Sequence, residues 1–310
     1  MRVFAQLRAS VTSDRGLTPV LLSAGVKPRS LAFLTSDPRH YQIAVLTALL
    51  TYGVLALDFE IAAGRAAAIV ATALLTQALC TRLWRLRRFD PRSALISGLS
   101  LCLLLRTNAI GLALAAAVIA VASKFVIQFK GKHLFNPTNI AIVATMAATG
   151  QVWVSPGQWG NVAFFAFLMA CLGGLVVNRA KRSDVTYAFM AFYMALVFGR
   201  SIWLGEPLSI PLHRLENGAL LLFTFFMISD PRTTPNSRPG RILFAFLVAS
   251  LAWYIQFRLF RTNGPLWSLA ICAMSVPLID WLLPAQRYEW KPRKHDLEAV
   301  RASHLKVQTI

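Results

Sequence analysis

Apolar residues run in ten long stretches along the chain, at roughly 41–57, 61–80, 93–105, 107–123, 139–154, 160–178, 185–199, 217–229, 242–257 and 266–284, separated by short polar or basic segments. Runs of this kind predict membrane-spanning helices, for which about 20 apolar residues cross the hydrocarbon core. Several are shorter, notably 93–105 and 217–229, and end in polar residues. Such runs read as half-helices or re-entrant segments, which persist in a membrane only when buried in protein or lining a cavity. The pattern predicts an all-α integral membrane protein of about ten transmembrane segments, some of them short, re-entrant or broken.

Two polar interruptions stand out. The first is His133-Leu134-Phe135-Asn136-Pro137-Thr138-Asn139. Pro137 lacks a backbone donor and keeps Asn136 out of the helical region, so Asn136, Thr138 and Asn139 can offer hydrogen bonds at the start of a helix running to about Trp153. Exposed amides and a positive dipole end suit such a start to a phosphate or other anion. The same residues also read as a plain N-cap with a turn proline.

The second interruption, Ser229 to Arg241, is the most polar stretch between two apolar runs. Asp230 directly follows Leu221–Ile228, and a carboxylate at that depth needs a partner, for which Arg232 and Arg241 are the candidates. Pro231, Pro235, Pro239 and Gly240 fix the loop. Asp230, Arg232, Thr233 and Thr234 are therefore candidates for holding an anion or cofactor, against the plainer reading of a cytoplasmic turn whose arginines set topology. With Asn136, Pro137, Thr138 and Asn139 they make up the candidate cofactor-binding site.

Sliding the chain against itself by 128 positions aligns Asn108 with Asn236, Ala117 with Ala245, Ile127-Gln128-Phe129 with Ile255-Gln256-Phe257, Pro137 with Pro265, and Met146 with Met274. Both copies share an order of short apolar run, polar break, long helix, basic turn, proline break and final helix. The two repeats fall at approximately 41–154 and 160–284. Five crossings in each, an odd number, put the second copy upside down relative to the first, and inverted repeats with broken segments place a site near the midplane where they meet.

Charge then orients the chain. Of 310 residues, 56% are hydrophobic and 15% charged, and 32 Lys and Arg against 13 Asp and Glu leave a net charge of +19; the mean hydropathy is +0.55. The basic residues fall in clusters between apolar runs, which indicates membrane-flanking loops; no zinc-finger spacing, RNA-binding signature or continuous basic helix supports a nucleic-acid partner. Counted loop by loop, one side receives the N-terminus, Arg82 to Arg92, Lys124 to Lys132, Arg179 to Arg182, Arg232 to Arg241 and the tail. The other receives Arg106, Arg200, Arg214, Arg258 and Arg261 with the acidic turn Asp58-Phe59-Glu60. Both termini are expected in the cytoplasm. The expected division is an uncleaved, poorly ordered cytoplasmic segment over 1–40, a membrane domain over 41–284, and a basic tail over 285–310 held at the membrane surface by anionic lipid. Cys80, Cys102, Cys171 and Cys272 sit within or at the edge of apolar runs without ligand spacing, as small hydrophobes do. No metal site, catalytic triad or carboxylate pair is evident.

Phe135-Asn136-Pro137, then Phe226-Met227-Ile228-Ser229-Asp230-Pro231 followed by Thr233-Thr234-Pro235 and Gly240-Arg241, then Asn263-Gly264-Pro265 leading to Val276-Pro277-Leu278-Ile279-Asp280, resemble the RnfD and NqrB family of membrane flavin subunits. These belong to the Rnf and sodium-pumping NADH:quinone oxidoreductase complexes. The resemblance covers roughly 95–285. It implies ten helices in two inverted five-helix repeats with a urea-transporter-like fold, FMN or riboflavin as cofactor, and electron transfer within the membrane. In the family a flavin-bearing threonine follows the Asn-Pro helix; here the connection from Gly150 to Gly160 contains no threonine, and Ser183-Asp184-Val185-Thr186 matches only superficially. A non-covalent flavin is the expectation, with Trp153, Trp159, Asn136 and Asn139 available to the ring and Arg232 to a phosphate. The expected role is an electron-transfer subunit in the inner membrane, working with a membrane or membrane-associated redox protein. The alternatives are a flavin-free transporter or channel, or a membrane scaffold, on the same architecture.

Overall fold

The structure is a computed structural model that describes residues 37–57, 59, 61–86, 88–154 and 172–288. Most of the 160–178 run, Trp159, the two acids of the 58–60 turn, and most of the two terminal segments lie outside the described residues. Within them the chain is overwhelmingly helical. Helix α1 spans Pro38–Ala56, α2 Ala63–Leu83, α3 Arg92–Leu104, α4 Ile110–Val126, α5 Pro137–Thr149, α6 Ser183–Leu204, α7 Ser209–Leu215, α9 Arg238–Phe257, α10 Gly264–Ala273 and α11 Val276–Leu282. Between α7 and α9, α8 (Gly218–Leu222) widens into a π-turn at Phe223–Met227.

Helices α2, α6 and α9 are long and apolar enough to cross a membrane, and α10 with α11 forms a fourth candidate, bent by 53°. Helices α3, α4 and α8 with its π-turn are apolar but short. Local chemistry explains where they stop. Proline occupies the first turn of α1, α5, α9, α10 and α11, where its missing amide hydrogen costs nothing. Asp37, Asn136, Asn217 and Ser237 each cap a helix by accepting backbone amides. Gly150 and Gly205 close α5 and α6 in the left-handed region.

The helix starts repeat the spacing read from the sequence: α4 begins at Ile110 and α9 at Arg238, while Pro137 of α5 matches Pro265 of α10. Packing follows in parallel. Helix α4 lies against α2 and α5, as α9 lies against α6 and α10, and α5 touches α10. The chain between α3 and α4 is held by an antiparallel pairing of β1 (Arg106–Thr107) with β4 (Val152–Trp153), and β2 (Gln128–Phe129) pairs with β3 (Lys132–His133) in a hairpin before α5.

The core interlocks through small residues and close approaches. Ala113, Ala116, Ala117 and Ala120 face inward on α4, as Ala245, Ala249 and Ala252 do on α9, which lets helix backbones come near. At Gly264 a Cβ would stand 2.6 Å from the Ala252 carbonyl oxygen. At Gly173 a Cβ would meet the Phe225 ring in the π-turn.

The starts of α1 and α3 are clasped by four charges. Arg39 grips the Asp37 carboxylate with Nε and Nη2, at 3.1 and 2.7 Å, and reaches Asp90 with Nη1 at 2.8 Å. Arg92 grips Asp90 with Nε at 2.8 Å and Asp37 with Nη1 at 2.7 Å. Burial would raise the Asp90 carboxyl, but the guanidinium groups of Arg92 and Arg39 outweigh it and hold it at about 2. Asp37 is lowered too: burial opposes, and Arg39 and Arg92 prevail.

Gly264→Ala forces α10 off α9 and costs about 1–3 kcal/mol, read as a lowered melting temperature in detergent, whereas Gly111→Ala, with nothing near its Cβ, leaves melting unchanged or raised. Because both clasp carboxylates have depressed folded-state pKa values, their contribution is complete above the ordinary carboxylate range and lost as pH falls from about 4 towards 2. The stability gap between wild type and Asp90→Asn narrows over that interval.

Candidate functional site

Asn136 is extended (φ −61, ψ 126), as the following proline requires, and its Oδ1 accepts the Asn139 amide hydrogen at 3.0 Å. One end of the side chain therefore caps α5. The other end, Nδ2, donates to the Met227 carbonyl at 3.3 Å and faces Asp230 Oδ2 at 3.4 Å. The two polar interruptions are thus in direct contact. Asn139, 1% exposed, donates from Nδ2 to the Leu266 carbonyl at 3.1 Å and joins the first turns of α5 and α10; its buried Oδ1 has no hydrogen-bond partner among the described residues. Pro137 and Thr138 are buried beside it.

The Asp230 loop is folded on itself. The Asp230 carbonyl accepts the amides of Thr233 and Thr234 at 3.2 and 3.1 Å and their hydroxyls at 3.3 and 3.0 Å. Its Oδ1 accepts the Arg232 amide at 3.0 Å, as a turn aspartate does. Of the two partners expected for this carboxylate, Arg232 serves it through its backbone. Arg241 goes elsewhere: its Nε binds both oxygens of Asp184 at 2.9 Å and its Nη1 the Asn236 carbonyl at 2.6 Å. The reason is geometric, since Arg241 lies in the first turn of α9 and Asp184 in the first turn of the adjacent α6.

Next to this junction lies a cleft of about 310 Å³, bounded by the β2–β3 hairpin on one side and by Asn236 and residues 276–287 on the other. Lys132 crosses between them, with Nζ 2.7 Å from Asp280 Oδ2, 2.6 Å from the Thr234 carbonyl and 3.3 Å from Asn236 Oδ1. Asp280 Oδ1 in turn accepts the Asn236 amide at 2.8 Å. Burial lowers the Lys132 ammonium below the ordinary lysine range, and the bond to Asp280 partly restores it. Burial, joined by the charges of Arg232 and Lys124, pushes the His133 imidazole down to about 4, so the ring is neutral at pH 7. His133 lines the cleft, and its Nδ1 is buried without a hydrogen-bond partner among the described residues. Phe129 and Trp281 supply aromatic walls, and Arg287 binds the carbonyls of Lys130 and Gly131 at the rim.

Trp153 is not at this cleft. It lines a second cavity of about 470 Å³ with Tyr193, Phe223, Gln256 and the Thr262–Leu266 turn. That cavity lies towards the far end of α5, whose 13 residues span about 20 Å. Trp153 and Asn136 therefore line no common cavity. Thr186 is fully buried on α6, and its hydroxyl donates to the Thr224 carbonyl in the π-turn at 3.2 Å. A phosphoester there would have to break that bond and unpack the helix.

Sequence reasoning missed Lys132, His133, Asn236 and Asp280 as cleft residues. One signal was available: a carboxylate at position 280, inside an apolar run, requires a cation. The sequence did not identify which cation, because Lys132 is 148 residues away.

Residues 150–289 match the family described as NQR2, RnfD, RnfE. That span contains the Asp230 loop, α10 and Asp280, but not the Asn136–Asn139 start. Over 160 residues the chain is 32% identical to the D subunit of the ion-translocating oxidoreductase complex of Erwinia tasmaniensis, covering 50% of this chain and 40% of that protein. Over 157 residues it is 31% identical to the protein of the same description from Cronobacter sakazakii, covering 49% and 42%. With the one from Alcanivorax borkumensis the identity is 29% over 138 residues, covering 43% and 38%. The matched stretch spans about two-fifths of the length of these relatives.

The Lys132–Asp280 bridge, 2.7 Å long, is largely buried on both sides. Lys132→Ala and Asp280→Ala should each cost about 3–5 kcal/mol, because each strands the other charge. In a double-mutant cycle read by thermal melting, the pair should cost less than the sum of the two single changes.

Proposed function

We propose that the chain is an RnfD-like member of the NQR2, RnfD, RnfE family and, from that premise, a membrane subunit of an ion-translocating oxidoreductase complex. It relays electrons through a non-covalently held FMN or riboflavin to or from a partner redox protein. The observation that carries the reading is the joining of the Asn136–Asn139 helix start to the Asp230–Thr234 loop beside a cleft that holds both cations and aromatic rings.

The residues fit a flavin. Lys130 and Arg287 are the cations available to a phosphate, Phe129 and Trp281 line the space for a planar ring, and the unsatisfied His133 Nδ1 can hydrogen-bond a polar ring edge. When bound, the flavin supplies one- and two-electron chemistry. Asn136, Pro137, Thr138 and Asn139 hold the α5 start in place. Asp230, Arg232, Thr233 and Thr234 form the loop that Lys132 ties to the hairpin. The neutral His133 leaves the cleft without an added buried charge.

The architecture we assign is ten membrane segments in two inverted five-helix repeats, urea-transporter-like, over 41–284, with 1–40 and the tail 285–310 cytoplasmic and the whole in the inner membrane. The Asn139–Leu266 bond supports this. It links residue i to a residue almost 128 positions on, at the starts of matching helices, as a twofold axis between halves would require. The asymmetry of basic residues supports the orientation.

A flavin-free transporter or channel, or a membrane scaffold, is favoured by two observations: no threonine occurs between Gly150 and Gly160, and the Thr186 hydroxyl is engaged in the core. Purification of the intact membrane complex, followed by an absorbance scan before and after acid denaturation, separates the readings. Near-stoichiometric flavin released into the supernatant is expected, with Trp281→Ala lowering retention about fivefold, the factor that ~1 kcal/mol of lost contact produces. A folded, flavin-free protein that passes sodium or small solutes in liposomes overturns the proposal in favour of transport.

A further inference from the structure

The segment Arg82-Leu83-Trp84-Arg85-Leu86-Arg87-Arg88-Phe89, between α2 and α3, alternates cations with large apolar side chains. Leu83, Trp84, Leu86 and Phe89 are 64, 47, 51 and 50% exposed, and Arg82, Arg85 and Arg88 are exposed beside them. It directly continues α2, one of the helices able to cross a membrane, and so stands at a bilayer boundary.

The turn is built, not slack. The Trp84 amide donates to the Cys80 carbonyl at 2.9 Å, that of Leu86 to Thr81 at 2.9 Å, and that of Arg85 to Arg82 at 3.0 Å. These bonds close the helix in the manner of a Schellman motif. Arg85 takes the left-handed position, φ 51, where glycine is the usual choice. A cation is kept at that position against its backbone preference. The Trp84 ring rests against Phe125 of α4, with centroids 5.5 Å apart, which fixes the turn against the bundle.

Several cations of the protein are neutralised within it: Arg39 and Arg92 by Asp37 and Asp90, Lys132 by Asp280, and Arg241 by Asp184. Among the described residues no carboxylate lies within ion-pair distance of Arg82, Arg85 or Arg88. The nearest acid in sequence, Asp90, is occupied by Arg39 and Arg92. Unneutralised guanidiniums interleaved with exposed leucine and aromatic side chains match a surface that is anionic at headgroup level and apolar just beneath it.

We propose that residues 82–86 with Arg88 and Phe89 form a docking surface for anionic phospholipid of the cytoplasmic leaflet. Arg82, Arg85 and Arg88 meet the headgroup phosphates, and Leu83, Trp84, Leu86 and Phe89 seat in the acyl boundary. An acidic face on a partner protein would satisfy the charges but not the four apolar side chains between them.

The full chain, purified in mild detergent, is titrated with phosphatidylglycerol or phosphatidylcholine and bound lipid is counted by native mass spectrometry. Wild type should hold phosphatidylglycerol in preference to phosphatidylcholine, and the preference should weaken with salt. Arg82→Gln/Arg85→Gln/Arg88→Gln should weaken phosphatidylglycerol binding by on the order of a hundredfold. Arg82→Lys/Arg85→Lys/Arg88→Lys, which keeps the charge, should retain most of it, and unchanged melting and elution of both variants show that the fold is intact. Equal occupancy by the two lipids overturns the proposal. So does a glutamine variant that binds phosphatidylglycerol like wild type while losing a co-purifying protein, an outcome that assigns the surface to a protein partner.

Discussion

Backbone amides and carbonyls in a bilayer must find partners inside the protein, and this chain breaks its helices repeatedly at buried positions. Each break is closed by a neighbour. The interruption after α3 is satisfied by pairing of β1 with β4, and the start of α5 by the Asn136 side chain. The carbonyl of Thr224, in the π-turn, is met by the Thr186 hydroxyl, and that of Leu266 by Asn139. Apart from the Asn136 cap, these bonds join parts of the chain that are distant in sequence. The short helices therefore exist only as a set.

Ion pairs act on top of that constraint. The Asp37–Arg39–Asp90–Arg92 clasp, the Arg241–Asp184 pair and the Lys132–Asp280 bridge each tie a helix start or hairpin to another element. Buried bridges are weak sources of net stability but costly to break, because the surviving charge has nowhere to go. Their value here is positional. Lys132 fixes how far the hairpin stands from α11, and so sets the width of the cleft between them.

Two cavities result, towards opposite ends of α5. One is lined by cations, a neutral histidine and Trp281; the other by Trp153, Tyr193 and the Asn263–Pro265 turn. Trp153 and Trp281, one in each cavity, are 128 positions apart. What differs is charge. The first cavity gathers Lys130, Lys132 and Arg287 against Asp280, while Arg214 is the charged residue lining the second. An anionic or phosphorylated cofactor is better matched to the first.

Hydrophobic run length and proline placement pointed to the helical membrane character, the start of α5 at Pro137 and the two polar interruptions, because these depend on local chemistry: bilayer thickness, the missing proline donor, and caps within three residues. Asn136 and Asp230 could be singled out for the same reason. Contacts across more than a hundred residues were beyond that reach. Only the folded chain decided that Arg241 serves Asp184, that Lys132 answers Asp280, and that Trp153 lines a cavity apart from the cleft beside the Asn136 junction. A carboxylate in an apolar run announces that it needs a cation, but Coulomb attraction has no sequence address. The choice among many cations is made by which helix ends the packing brings together.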